Sequence, residues 1–227
     1  MPAAELMREK HVAPSILSAD FARLGDQVRE VMDAGARVIH VDVMDGHFVP
    51  PITMGPLVVG SLREQVAEAG GMLDVHLMIE RPERHVDEFA RAGADSITVH
   101  FEATPHVHYA VKAVREAGCL PGVAITPSTP VEALAEVAED IEIALCMTVN
   151  PGWGGQPFIL SAAGKVERLR SQLPTGVAIE VDGGIDEETA PRCSAAGARL
   201  FVAGSSVFGD ADPGEAYRRV ARAAGAT

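Results

Sequence analysis

Ile39-His40-Val41-Asp42-Val43-Met44-Asp45-Gly46 reads as a β-strand closed by a glycine-containing turn. Its alternation places His40, Asp42 and Met44 on one side and Val41 and Val43 on the other. An imidazole and a carboxylate two residues apart are costly to bury in an apolar interior unless something engages them. A divalent cation would do so, since both are ligand types for zinc or a similar first-row ion. A hydrogen-bonded polar pair at a strand end would do so equally. The octet leaves both open.

Outward from this stretch, short apolar runs alternate with longer amphipathic segments, the pattern of repeated βα units with a parallel sheet. Eight runs are predicted as strands, over residues 12–16, 38–44, 72–77, 96–100, 120–125, 143–149, 177–181 and 200–203. Helices are expected over 21–34, 82–92, 105–117, 130–138, 162–173, 187–196 and 213–224. Several carry Pro near the start and Gly just past the end, and Ala-Gly recurs at 34–35, 92–93, 117–118 and 196–197. Eight strands with their helices in about 215 residues predict an α/β fold, a single-domain (β/α)8 TIM barrel over residues 11–227 behind a loose N-terminal extension of residues 1–10. An open doubly wound sheet is the alternative, but such sheets usually carry a glycine fingerprint after the first strand, and residues 14–20 contain no glycine.

The barrel makes a demand on the chemistry: it must sit at the C-terminal strand ends. Ser15, the His40/Asp42/Met44 group, His76, Met78, His100, Met147, Asp182 and Gly204-Ser205-Ser206 all fall there. His11, His47, His85, His106 and His108 look like surface or loop residues.

The 227 residues have a net charge of -13, which repels nucleic acid and acidic membranes, so neither is expected as a partner. Three dispersed cysteines suggest reduced thiols and a cytoplasmic setting, and residues 1–10 resemble neither signal peptide nor anchor.

His76 on the next predicted strand could complete a metal site with His40 and Asp42, and Asp182 ends the seventh strand, from which a carboxylate can reach the barrel mouth. Two histidines and two aspartates suit one divalent ion: zinc, or iron(II), manganese(II) or cobalt(II) if substrate oxygens add ligands. Such a pair of carboxylates suggests proton transfer on two faces of a carbon next to a carbonyl, with the cation stabilising enediolate oxygens. For an anion, the three lysines lie away from every predicted strand end. Gly183-Gly184 and Gly204-Ser205-Ser206 instead offer backbone amides where barrels recurrently hold phosphate. Pro151-Gly152-Trp153-Gly154-Gly155-Gln156-Pro157 reads as a mobile lid, or as a flexible connection with Trp153 docked for packing.

At these residues the chain resembles the ribulose-phosphate 3-epimerase family of ribulose-phosphate-binding barrels. The likeness is carried by PSILSAD from Pro14, HVDVMDGHFVP from His40, DVHLM from Asp74, MTVNPGWGGQ from Met147, VDGGI from Val181 and AGSS from Ala203. It implies that His40, Asp42, His76 and Asp182 bind one divalent metal ion per subunit. It also implies Asp42 as proton acceptor and Asp182 as donor in interconverting D-ribulose 5-phosphate and D-xylulose 5-phosphate. Ser15 and His76 would contact this sugar phosphate, Gly152, Trp153, Gly154 and Gly155 would form the lid, and Gly183, Gly184, Gly204 and Ser205 would hold the phosphate. A homo-oligomer is usual in the family. Pro51 and Trp153 depart from its common Asn and Phe. Rival expectations are an epimerase for a six-carbon ketose phosphate such as allulose 6-phosphate, a decarboxylase or aldolase of the same barrel type, and a non-catalytic sugar-phosphate-binding barrel. The lack of lysine at every strand end argues against a Schiff base.

Overall fold

The computed structural model describes residues 3–226. The strands are β1 (His11–Pro14), β2 (Val38–Met44), β3 (Met72–Met78), β4 (Ser96–His100), β5 (Leu120–Ile125), β6 (Ile143–Met147), β7 (Ala178–Asp182) and β8 (Leu200–Ala203). All pair in parallel in the order β1-β8-β7-β6-β5-β4-β3-β2. A parallel bridge from Ser15 to His40 brings β1 against β2, so the sheet closes into the expected barrel. The helices are α1 (Ala3–Leu6), α2 (Leu24–Asp33), α3 (Pro56–Glu68), α4 (Val86–Ala92), α5 (Val107–Glu116), α6 (Ala162–Gln172), α7 (Ala190–Ala196), α8 (Ser205–Phe208) and α9 (Pro213–Ala224).

Strand alternation separates two cores. Outward residues such as Ile39, Val41 and Val43 of β2 pack with Val28 and Val31 of α2 and Val59 and Leu62 of α3, each such buried side chain contributing about 1.5–3 kcal/mol. Inward residues Ala13, Val38, Met72, Ile143, Ala178, Leu200 and Val202 form a lower apolar cluster with Leu6 and Met7. The extension expected to be loose therefore plugs the barrel floor from residue 6 on, because an open floor would leave those inward side chains wet.

The Ala-Gly endings are left-handed helix caps, with φ of 113° at Gly93 and 107° at Gly197, a conformation that suits glycine. Elsewhere the helices differ from expectation for identifiable reasons. The segment 130–138 is a 3-10 helix, Val131–Val137, whose buried Val131, Leu134 and Val137 recur every three residues, the period of that tighter helix. The helix expected from 187 begins at Ala190, since Pro191 is accommodated only in a first turn. Helix α3 had no assigned counterpart in the sequence. His11, expected at the surface, is 3% exposed in β1. Cys119, Cys146 and Cys193 are buried free thiols. Among the described residues, no helix is long and apolar enough to cross a membrane.

Candidate active site and metal centre

The register of the sheet assembles the site. On β2 and β3, His40 stands level with Asp74, Asp42 with His76 and Met44 with Met78, while Asp182 on β7 stands level with Met147 of β6. The ends of these strands are fastened locally. Asp45 accepts backbone N–H bonds from His47 and Phe48 and, across the loops, from Glu80 at 2.7 Å. The Thr53 hydroxyl donates to the Asp42 carbonyl at 2.7 Å and accepts from the Met44 N–H at 3.0 Å. The β6 and β7 ends are joined by the Thr148 N–H donating to the Asp182 carbonyl at 2.7 Å.

His40, Asp42, His76 and Asp182 each present one ligand atom, and these atoms all lie within 4.8 Å of one another. Asp42 Oδ1 is 3.2 Å from His40 Nε2 and 3.1 Å from His76 Nδ1, and His76 Nδ1 is 3.7 Å from Asp182 Oδ2. Zinc bonds of about 2.0–2.2 Å in a tetrahedral array place neighbouring donors about 3.3–3.6 Å apart, so this donor set fits such an ion. His40 Nε2 supplies an independent sign: it is fully buried, aims into the set and has no hydrogen-bond partner among the described residues. The other Asp42 oxygen, Oδ2, accepts from the Ser15 hydroxyl at 2.5 Å.

The charges are unbalanced in a way that a cation would relieve. Burial opposes ionisation of Asp42, but His40 and His76 outweigh it and hold the carboxyl far below the usual range. Asp182 goes the other way, pushed up to about 7 by burial and then by the negative charge of Asp42. His40 is raised well above its ordinary value because Asp42 and Asp74 overcome the burial that disfavours its charge.

Beneath this set lies a polar layer that the sequence expectations did not use. His40 Nδ1–H donates to Asp74 Oδ2 at 2.7 Å, and the Ser96 hydroxyl donates to Asp74 Oδ1 at 2.5 Å. Glu180 faces them, fully buried, with its pKa raised well above normal by burial and by the Asp74 charge. His40, Asp74 and Glu180 form a second group of donor type, but the Nδ1 atom of His40 is already committed to Asp74. Period-two alternation carries the missed signal: Asp74 shares the inward face with His76, and Glu180 shares it with Asp182.

The cavity above is lined by Ser15, Asp42, Met44, Met78, Met147, Gly152, Trp153, Gly154, Gly155, Asp182, Gly183, Gly184, Gly204 and Ser205, among others. His40 and His76 do not line it; both are fully buried and meet its wall through Asp42 Oδ1, at 3.2 and 3.1 Å. Trp153 is 57% exposed on its rim, so it is not docked for packing. Pro51 lies outside the cavity, its carbonyl accepting from the Gly46 N–H at 2.9 Å. No lysine or arginine is among the described residues lining the cavity, and Lys165 is spent on the Thr126 carbonyl at 2.6 Å. Gly184 is obligatory: its φ is 64°, and a Cβ there would lie 2.7 Å from the Phe158 nitrogen.

A closed parallel barrel with paired aspartates and imidazoles at its C-terminal mouth defines a (β/α)8-barrel enzyme equipped for acid–base chemistry. Likeness to known proteins narrows the class. A profile of the Ribulose-phosphate 3 epimerase family matches residues 11–208. Over 213 residues the chain is 49% identical to the ribulose-phosphate 3-epimerase of Bacillus subtilis (strain 168), covering 92% of this chain and 97% of that one. Over 202 residues it is 50% identical to that of Rhodobacter capsulatus, covering 88% and 87%. The chain belongs to the ribulose-phosphate 3-epimerase family. Among solved structures, KGPDC from Streptococcus mutans superposes with a TM-score of 0.73 over 96% of this chain and 98% of that one, at 17% identity, a likeness of fold alone.

Proposed function

We propose that this enzyme interconverts D-ribulose 5-phosphate and D-xylulose 5-phosphate at C3, with Asp42 taking the proton from one face and Asp182 returning one to the other. The observation that carries this is the convergence of one oxygen from each aspartate within 4.8 Å, from strands three apart around the barrel. Their opposed environments favour the division of labour. Asp42 is held ionised by its two imidazoles, as an acceptor must be, while burial and the Asp42 charge give Asp182 the tighter hold on a proton, which suits it to donate. The Ser15 hydroxyl on Asp42 Oδ2 orients that carboxylate and is placed to meet the sugar.

His40, Asp42, His76 and Asp182 would hold one divalent ion, with zinc as our choice and iron(II), manganese(II) or cobalt(II) as alternatives. When bound, the ion supplies positive charge to the substrate oxygens as the proton leaves. Met44, Met78 and Met147 wall the site with apolar, polarisable surface that excludes water. The backbone of Gly183, Gly184, Gly204 and Ser205 would take the phosphate, and Gly152 to Gly155 with Trp153 would close over it. Residues 11–227 act as the catalytic domain, in a cytoplasmic and homo-oligomeric protein.

The test is proton exchange. Metal-replete protein incubated in D₂O with ribulose 5-phosphate is expected to exchange the C3 hydrogen and yield xylulose 5-phosphate. Asp42→Asn and Asp182→Asn are each expected to lose epimerisation by at least about 10²–10⁴-fold, the usual contribution of a general acid or base. Tight binding without exchange would sink the catalytic assignment, and a faster rate on a six-carbon ketose phosphate would move the substrate.

A further inference from the structure

His76 faces two ways. Its Nδ1 looks into the donor set, while its Nε2 lies 2.9 Å from Nε2 of His100, the last residue of β4. Two neutral imidazoles in such contact share one proton, so one ring donates and the other accepts. His100 is fully buried, and the ring of Phe48 covers it at a centroid distance of 4.8 Å. The direction of the shared bond is set from its far side. His100 Nδ1 is 3.2 Å from Glu102 Oε2. Glu102 Oε1 accepts from the Thr126 N–H at 2.8 Å and from the Thr129 hydroxyl. Although burial works against ionisation, the bonds from His100, Thr129 and Thr126 bring Glu102 down to about 2, so it is a carboxylate that can only accept. His100 Nδ1 must then donate to it, which leaves His100 Nε2 as a lone pair. His76 Nε2–H donates to that lone pair, and with a cation seated in the donor set His76 Nδ1, 3.1 Å from Asp42 Oδ1, faces it as a lone pair.

We propose that Glu102, whose side chain reaches the surface, is a positioning residue for the metal centre: acting through His100, it fixes His76 in the tautomer whose Nδ1 can bind a cation. The chain of contacts runs from β3 through the end of β4 to the loop after β5. Lys165 of α6 steadies that loop by donating to the carbonyls of Thr126 at 2.6 Å and Pro127 at 3.4 Å. A ligating imidazole is commonly oriented by what its second nitrogen meets. Here the partner is another imidazole, and the carboxylate stands one ring further away. The inference rests on the metal reading of the four-residue site.

Glu102→Gln tests it with nearly the same shape. One oxygen becomes an NH2, and the two donors Thr126 and Thr129 retain the remaining oxygen, so the amide turns its nitrogen to His100. His100 Nδ1 must then accept, its Nε2 must donate, and the proton is driven onto His76 Nδ1. Zinc affinity, measured by chelator competition on metal-free protein, is expected to weaken by about 10–100-fold, the range typical of second-layer changes. The thermal midpoint of the metal-free variant should stay near that of the parent. In the zinc-loaded parent, imidazole ¹⁵N shifts are expected to show His76 protonated at Nε2 and His100 at Nδ1, a readout that needs no variant. A variant affinity within about threefold of the parent, well short of that range, overturns the relay, as does a His100 protonated at Nε2 in the zinc-loaded parent. A parent that takes up no zinc overturns the metal centre together with the relay; a parent that binds and a variant that matches it overturns the relay alone.

Discussion

Asp42 and Asp182 are the same side chain in two settings, and the difference comes from who stands beside them. Two imidazoles and a hydroxyl surround Asp42, whereas Asp182 meets mainly Asp42 itself. The same logic extends one layer down. Glu180 is held neutral by burial and by Asp74, so its charge contributes nothing that an amide would lack. Glu180→Gln is therefore expected to change unfolding free energy by less than about 1.5 kcal/mol, as for other volume-conserving swaps. Asp74→Asn is different, because His40 and Ser96 both donate to the Asp74 carboxylate. That change should cost about 1.5–3 kcal/mol, the worth of a hydrogen bond to a charged group. Urea unfolding of the two variants decides between them, and an equal cost for both would show that Glu180 carries charge.

At the level of elements, strand register converts a pattern into a site. Alternation in HVDVM and DVHLM tells which side chains face inward; the pairing of Asp42 with His76 then makes them neighbours. The apolar runs marked each strand to within about two residues, since a strand buried on both faces is read directly from composition. Helix boundaries were less legible where packing chose the helix type, as at Val131–Val137. Gly122 of β5 shows how tightly the inner face is filled. It stands level with Thr98 of β4 and Ile143 of β6, and a Cβ there would collide with Thr98 Oγ1 and lie 3.2 Å from Ile143 Cβ. Gly122→Ala is expected to destabilise the fold by about 1–3 kcal/mol through overpacking, read as a lowered denaturation midpoint. An unchanged midpoint would mean that the interior has slack at this level.

For the whole molecule, a cation held by these four residues would couple its binding to protonation and stability. Without metal, Asp182 titrates at about 7, whereas an unfolded aspartate titrates near 3.9. The folded state thus holds this proton more tightly, so stability from this group is lost as pH rises from about 4 through 7. A bound cation needs Asp182 ionised and removes the repulsion that raised it. Proton competition at His40, also raised above its ordinary value, has the same sign. The increase in Tm caused by saturating zinc is therefore expected to grow from pH 6 to pH 8. A shift that shrinks over that interval would place the cation elsewhere.

The amino-acid sequence by itself determined the barrel, the strand ends and which polar side chains stand at them, His40, Asp42, His76 and Asp182 among them, because period-two alternation and glycine-marked turns are local properties. Tertiary structure alone decided what supports them. Asp74 and Glu180 were visible as inward residues, but their meeting around His40 depends on strands that are distant in the chain. The link from His76 through His100 to Glu102 needs the curvature that brings β3 and β4 side chains into hydrogen-bond range. The plug formed by Leu6 and Met7 likewise has meaning only once eight strands have closed over it, since a local pattern can mark a side chain as apolar without showing which surface it covers.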